Sequence, residues 1–353
     1  MLQRTQLQKI FERLTCDFTG KHSILLGWPS EFVAFKDIKT MLKLAVPQLA
    51  PCWLNREAGI NKVVQTIQTA AEQGAGIIAF SEGFVPGYPF WLSGTGGAEF
   101  ESSMQKEIFA HYSDQAVTIE DGHLDPVCKA LKDANMAAYL GIIERPRDRS
   151  GHSLYASFVF IDAQGKVQSS HRKLQPTYEE RLAWSPGDGA GLVTHRVGDF
   201  TVGGLNCWEN WMPLPRAALY GQGEDLHFAC WPGCHRNTHD ITPFLAKEGR
   251  SYCVSISALF RRQDIRDDTP FADEIRQTID ELHADGGCCV AAPDGSWVLE
   301  PWMGDEEIRY CELDPAFVRR ERQNFDSAGH YSRPDVTKLA VNRKRQSICE
   351  FQD

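Results

Sequence analysis

From Met41 onward the chain alternates short apolar runs with segments of helical period, and this limits its possible architectures more than any other feature. Leu42, Leu44 and Val46 alternate as in a strand, whereas Ile60, Val63, Val64, Ile67, Ala70 and Ala71 recur at helical spacing until Gly74 and Gly76. Ile77 to Phe80 reads as a short, fully apolar strand, followed directly by Ser81-Glu82. Further helices are predicted over 125–135, around 215–220 and over 242–252, and strands over 137–143, 157–162, 201–205, 226–229 and 254–259. A hairpin over 288–298 turns at Asp294-Gly295. Such alternation predicts an α/β layer fold.

With 353 residues, 42% of them hydrophobic, the chain can bury a sizeable core in one or two domains. The formal net charge of −10 argues against nucleic acid as a partner. The longest apolar stretches, such as Ile24 to Trp28 and Gly76 to Phe80, fall far short of the roughly 18–20 residues that span a bilayer, so no membrane partner is expected. Arg4, Lys9, Glu12 and Arg13 lie in a start without a sustained apolar block or a small-residue cleavage site, which makes a cytoplasmic location the expectation. Residues 1–40 carry six basic and four acidic side chains and one short amphipathic run, Leu7 to Leu14, and read as an N-terminal extension.

Eleven cysteines cannot all pair and are too sparse for a disulfide framework, so they read as reduced. Cys230, Cys234 and His235 form a local cluster, and Cys288 adjoins Cys289, but neither supplies the repeated Cys-x2-Cys spacing of a structural zinc site. A zinc-stabilised binding module on the first cluster is the alternative from another functional class.

Three polar residues stand at or near the ends of apolar strand-like segments, where α/β sheets place reactive groups. Glu82 follows Ile77 to Phe80, Lys173 lies in His171-Arg172-Lys173-Leu174-Gln175-Pro176-Thr177, and Cys207 ends the run from Val202 to Asn206. Singly, they could be a loop carboxylate, a surface lysine and a buried thiol. Together, the stretches from Phe80 to Pro89, His171 to Thr177 and Asn206 to Asn210 resemble the nitrilase branch of the carbon-nitrogen hydrolase superfamily, in that family's order. The resemblance covers Met41 to about Val341, leaving 342–353 as a C-terminal tail, and Cys207-Trp208-Glu209 is its most discriminating element.

The resemblance implies an α-β-β-α sandwich with Cys207 as nucleophile, Glu82 as general base, Lys173 as the stabilising cation and Glu180 as a second carboxylate. Glu179 stands beside Glu180, and Ser81 occupies a position where many relatives have proline. A free thiol near pKa 8.5 is mostly protonated at neutral pH, and a carboxylate and an ammonium can supply the base and the compensating charge. The implied reaction converts a small-molecule nitrile and water to a carboxylic acid and ammonia through a thioimidate and a thioester. An amidase or cyanide-degrading enzyme with the same residues is the alternative. No metal or organic cofactor is required. Tyr88 and Trp208 are candidate substrate contacts among the aromatic residues Phe90, Trp91, Trp211 and Trp231. A homo-oligomer, as dimer, spiral or filament, is expected, with Trp211 to Tyr220 as its candidate contact.

Overall fold

A computed structural model describes residues 41–349; the amphipathic run at 7–14 and the rest of the N-terminal extension lie outside them. The described chain forms two facing sheets. The first draws on β1 (Leu42–Gln48), β2 (Ile77–Ala79), β3 (Ala137–Glu144), β4 (Tyr155–Ile161) and β5 (Val167–Arg172), with α1 (Arg56–Glu72), α2 (Ser103–Gln115) and α3 (Asp125–Ala134) in the crossovers. The second comprises β6 (His195–Val197), β7 (Phe200–Asn206), β8 (Leu226–Trp231), β9 (Tyr252–Ser257), β10 (Leu259–Arg261), β11 (Leu282–Ala291) and β12 (Trp297–Met303), with α4 (Pro213–Tyr220) and α5 (Ile241–Gly249). The chain then returns to the first sheet through β13 (Glu307–Leu313) and ends its regular structure in α6 (Pro315–Arg322).

Strand order is β13-β1-β2-β3-β4-β5 in the first sheet and β10-β11-β9-β8-β7-β6 in the second, with β12 paired to β11. The central strands β1-β2-β3 and β7-β8-β9 run parallel, which requires helical crossovers. Between the sheets, Leu44, Ile77 and Phe158 pack with Val202, Phe228 and Val254. On the outside, Ile60, Val63 and Ile67 of α1 and Val127 and Leu131 of α3 cover Ala45, Ile78 and Ala138, while Leu245 and Ala246 of α5 cover Ala229 and Cys253. Each buried Val, Leu, Ile or Phe among these contributes about 1.5–3 kcal/mol, and the layers are α-β-β-α.

The predicted helix over 242–252 is shorter in the structure. Arg250 enters the left-handed region at φ 46° and Tyr252 already begins β9. The sequence reading did not identify α2, which buries only Ile108 and Tyr112 and so lacks a strong apolar stripe. It also did not identify β5, β6, β13 or α6. The segment Trp211 to Tyr220 is not an ordinary core helix: α4 buries Pro215, Arg216 and Leu219 but leaves Leu214 exposed, as are Trp211 and Met212 just before it. No described helix is long and apolar enough to cross a membrane.

Candidate active site

Three strand ends supply the reactive groups. Glu82 follows β2, Lys173 immediately follows β5, and Cys207 immediately follows β7. The Glu82 turn crosses closely over β3, where a Cβ on Gly141 would lie 1.9 Å from the Ser81 carbonyl oxygen, so only glycine fits. The backbone N–H of Glu82 donates to the carbonyl of Trp231 at the end of β8, 3.3 Å away, tying the first sheet to the second.

Lys173 Nζ donates to Glu82 Oε1 and to Glu180 Oε2, each at 2.7 Å. Glu180, not Glu179, is the second carboxylate: it is buried, accepts from the Thr177 N–H at 2.6 Å and caps its own short helical turn. Tyr88 Oη donates to Glu180 Oε1 at 2.8 Å. Reactive atoms of Glu82, Glu180 and Cys207 lie within 4.8 Å of one another. The cationic position beside the two carboxylates is filled by the Lys173 ammonium. This is also the candidate metal grouping found among the described residues. Among the described residues Cys230, Cys234 and His235 do not form such a grouping, and the buried Cys230 thiol donates to Asn206 Oδ1 at 2.9 Å.

Burial pushes Glu82 up to about 8 against the pull of Lys173. Burial opposes the charge on Lys173, but Cys207, Glu82 and Glu180 outweigh it and hold the ammonium well above its ordinary range. The Cys207 thiol is raised by burial and by both carboxylates, while Lys173 and the Trp208 N–H, which bonds the sulfur, pull it down. A base and an acid both shifted upward can exchange a proton near neutral pH.

Glu209 fixes the distance between the lysine and cysteine loops. Its buried carboxylate accepts from the Leu174 N–H at 2.6 Å, the Asn206 N–H at 2.9 Å and His171 Nε2 at 3.0 Å. Cys207 itself sits in the left-handed region at φ 47°, a sharp strand-to-helix turn that costs about 1–3 kcal/mol for a non-glycine residue and lifts the thiol out of the strand line.

A cleft of about 750 Å³ is lined by residues that follow Cys207 and Lys173 in the chain, among them Trp208, Trp211 and Met212 and Pro176, Thr177, Tyr178 and Arg181; the four clustered side chains themselves are buried and do not line it. Arg236 and Asn237 also reach it. Trp208 is therefore placed as a cleft residue. Tyr88 is not among the lining residues; its hydroxyl is committed to Glu180 and its ring packs against Phe90 and Trp184. Phe90, Trp91 and Trp231 are core residues. The sequence reading missed Tyr178, Arg181 and Arg236, which lie on helical turns of five and four residues, too short to carry a periodic signal.

Residues 43–323 match the carbon-nitrogen hydrolase family. An aliphatic nitrilase from Rhodococcus rhodochrous is 32% identical over 88% of this chain and 82% of its own. Among solved structures, Saccharomyces cerevisiae Nit3, a member of branch 10 of the nitrilase superfamily, aligns with a TM-score of 0.65 at 18% identity, covering 82% of this chain and 96% of its own. A mutant of a Nesterenkonia amidase from the same superfamily aligns with a TM-score of 0.58 at 16% identity, covering 80% of this chain and 95% of its own. At these identities the structural likeness speaks to the fold alone.

Proposed function

Because this chain belongs to the carbon-nitrogen hydrolase family, and so is a hydrolase acting on carbon–nitrogen bonds, we propose that it is a nitrilase converting R–C≡N and two waters to R–COOH and ammonia. The observation that carries this reading is the buried convergence of Glu82, Lys173 and Glu180, joined by hydrogen bonds, with the Cys207 thiol. The sequence likeness to a nitrilase supports the choice of substrate class.

The Cys207 thiol gives its proton to Glu82 and its sulfur adds to the nitrile carbon. The charge developing on nitrogen is met by Lys173 and the Trp208 N–H, and nitrogen takes the proton held by Glu82, which gives a neutral thioimidate and returns Glu82 to its carboxylate. Glu82 then deprotonates a water that adds to the thioimidate carbon. Glu82 passes that proton to nitrogen and then relays the hydroxyl proton of the adduct to the amine, so that ammonia leaves as the thioester carbonyl forms; a second water, deprotonated by Glu82, hydrolyses the thioester, and the departing sulfur takes the proton back as the thiol. Glu180 holds Lys173 through a second hydrogen bond of the same ammonium. The exposed Trp211, Met212 and Leu214 support a homo-oligomer formed through this edge.

The test is ammonia release by purified protein from aryl, arylalkyl and aliphatic nitriles, cyanide and the matching amides, with Cys207→Ala as control. Release from nitriles, lost in Cys207→Ala, supports the reading. Release from amides alone would replace it with amide hydrolysis at the same residues, and full activity in Cys207→Ala would remove the nucleophile assignment.

A further inference from the structure

We propose that Glu224, His227 and Asn210 form a buried positioning relay that orients and polarises the peptide group joining Cys207 to Trp208. The inference rests on the nitrile-addition reading above, in which the N–H of that peptide faces the developing charge.

Asn210 Nδ2 donates to the carbonyl oxygens of Cys207 at 2.9 Å and Leu205 at 3.1 Å, which fixes the orientation of its amide. Asn210 Oδ1 then points to His227 Nε2 at 2.7 Å. An amide oxygen only accepts, so Nε2 carries a proton. On the other side of the ring, His227 Nδ1 lies 2.9 Å from Glu224 Oε1, and one further proton lies between imidazole and carboxylate. Asn210 and Glu224 are fully buried and His227 is 2% exposed, so water does not compete along the chain.

Two further features fit a built device. A Cβ on Gly203 would lie 2.1 Å from Glu224 Oε1, so the glycine in β7 makes room for the carboxylate. Arg216 Nη1 donates to the Asn210 carbonyl at 2.8 Å while its guanidinium is held by Glu248, anchoring the residue from α4.

The hydrogen bond that ends the relay falls on the Cys207 carbonyl, and the oxygen of that carbonyl and the Trp208 N–H belong to one peptide unit. Drawing electron density toward the oxygen makes the N–H a stronger donor, as in any aligned hydrogen-bond chain. The same bond holds Cys207 in its left-handed conformation. None of the three residues touches the reacting atoms; they act through the peptide.

The test uses the full-length protein and compares His227→Phe, His227→Gln and Glu224→Gln for kcat, KM, thermal unfolding and the rate at which iodoacetamide alkylates Cys207. His227→Phe should lower kcat about 100-fold, the size of losing one oxyanion donor, with KM within about twofold and alkylation slowed. His227→Gln retains an N–H donor for Asn210 Oδ1 and should recover about tenfold of that loss. Unchanged kcat in a folded His227→Phe, a KM that rises in step with the lost activity, or a Gln variant no better than Phe would overturn the relay. If His227→Phe does not fold, the near-isosteric Glu224→Gln decides: a kcat lowered about tenfold at normal melting supports the relay and an unchanged kcat overturns it. A wild-type protein that turns over no nitrile would sink the proposed function, while the alkylation rates would still decide the relay.

Discussion

Replacing Glu209 with glutamine removes one charge and exchanges one acceptor for a donor, at a point where each carboxylate oxygen already serves a backbone N–H. Oε1 accepts from Leu174 and Oε2 from Asn206, with His171 Nε2 shared between them. Either orientation of the new amide sets an NH2 against a buried backbone N–H. The unpaired donor costs about 1–3 kcal/mol, and the lost bonds to an ionised group about 1.5–3 kcal/mol more. Glu209→Gln should therefore lower unfolding stability by about 3–5 kcal/mol, a large share of the 5–15 kcal/mol typical of a domain. The pH dependence has a definite sign. Burial alone would raise Glu209, but His171 and the two backbone N–H groups outweigh it and hold its pKa below the ordinary 4.5. A depressed carboxylate stabilises fully above its unfolded pKa and loses that contribution as pH falls through its folded value. The gap between wild type and variant, read from urea denaturation, should be complete at pH 7 and close as pH drops below about 4.5. Because Glu209 also sets the spacing of Lys173 and Cys207, kcat should fall about 100-fold in the folded variant. A gap under about 0.5 kcal/mol at pH 7, or one that does not change with pH, would refute the reasoning.

Glu82 is pushed up to about 8 by burial, and a general base must be ionised, so kcat/KM should fall as pH drops below about 8; an acid limb near the ordinary carboxylate value of 4.5 would contradict the assignment. Tyr88→Phe removes the 2.8 Å hydrogen bond to Glu180 and should lower kcat about tenfold with KM unchanged, whereas a raised KM at constant kcat would return Tyr88 to substrate contact. Leu214→Glu places a charge on the 63%-exposed apolar edge of α4 and should shift the light-scattering mass toward the monomer; wild-type protein that is already monomeric at micromolar concentration would dispose of the interface.

Glu82 and Cys207 follow the apolar runs of β2 and β7, a local signal that survives without knowledge of the fold, whereas Lys173 follows the mostly polar β5 and stood out only through the motif around it. Glu180 was legible only with Glu179 beside it, and burial separates the two. For Tyr88 the sequence could not show the hydrogen bond to Glu180, because an aromatic ring near a motif looks alike whether it meets substrate or orders a carboxylate. The cleft residues Tyr178, Arg181 and Arg236 were out of reach, since they come from segments whose convergence depends on how the strands pair. His227 left a faint trace: a polar residue within the otherwise mostly apolar β8, next to a glutamate three positions earlier. The β1–β13 pairing depends on contacts between the two ends of the domain, which no local window contains.

The cluster's burial would make charge expensive if charge had to be created, but the first step moves charge without creating it. Before proton transfer the site holds a carboxylate at Glu82, an ammonium at Lys173 and a neutral thiol; afterwards it holds a neutral carboxyl, the same ammonium and a thiolate. The net charge is identical, and the anion has moved between atoms lying within 4.8 Å of one another around one cation. Burial raises the proton affinity of both Glu82 and Cys207, so much of its effect cancels in their difference, which alone sets the transfer equilibrium. Lys173 need not shift far, because it already donates to both carboxylates and lowers the affinity of the thiol. A site of this form can be sealed from water, where its dipoles act most strongly on the nitrile, without losing the thiolate it depends on.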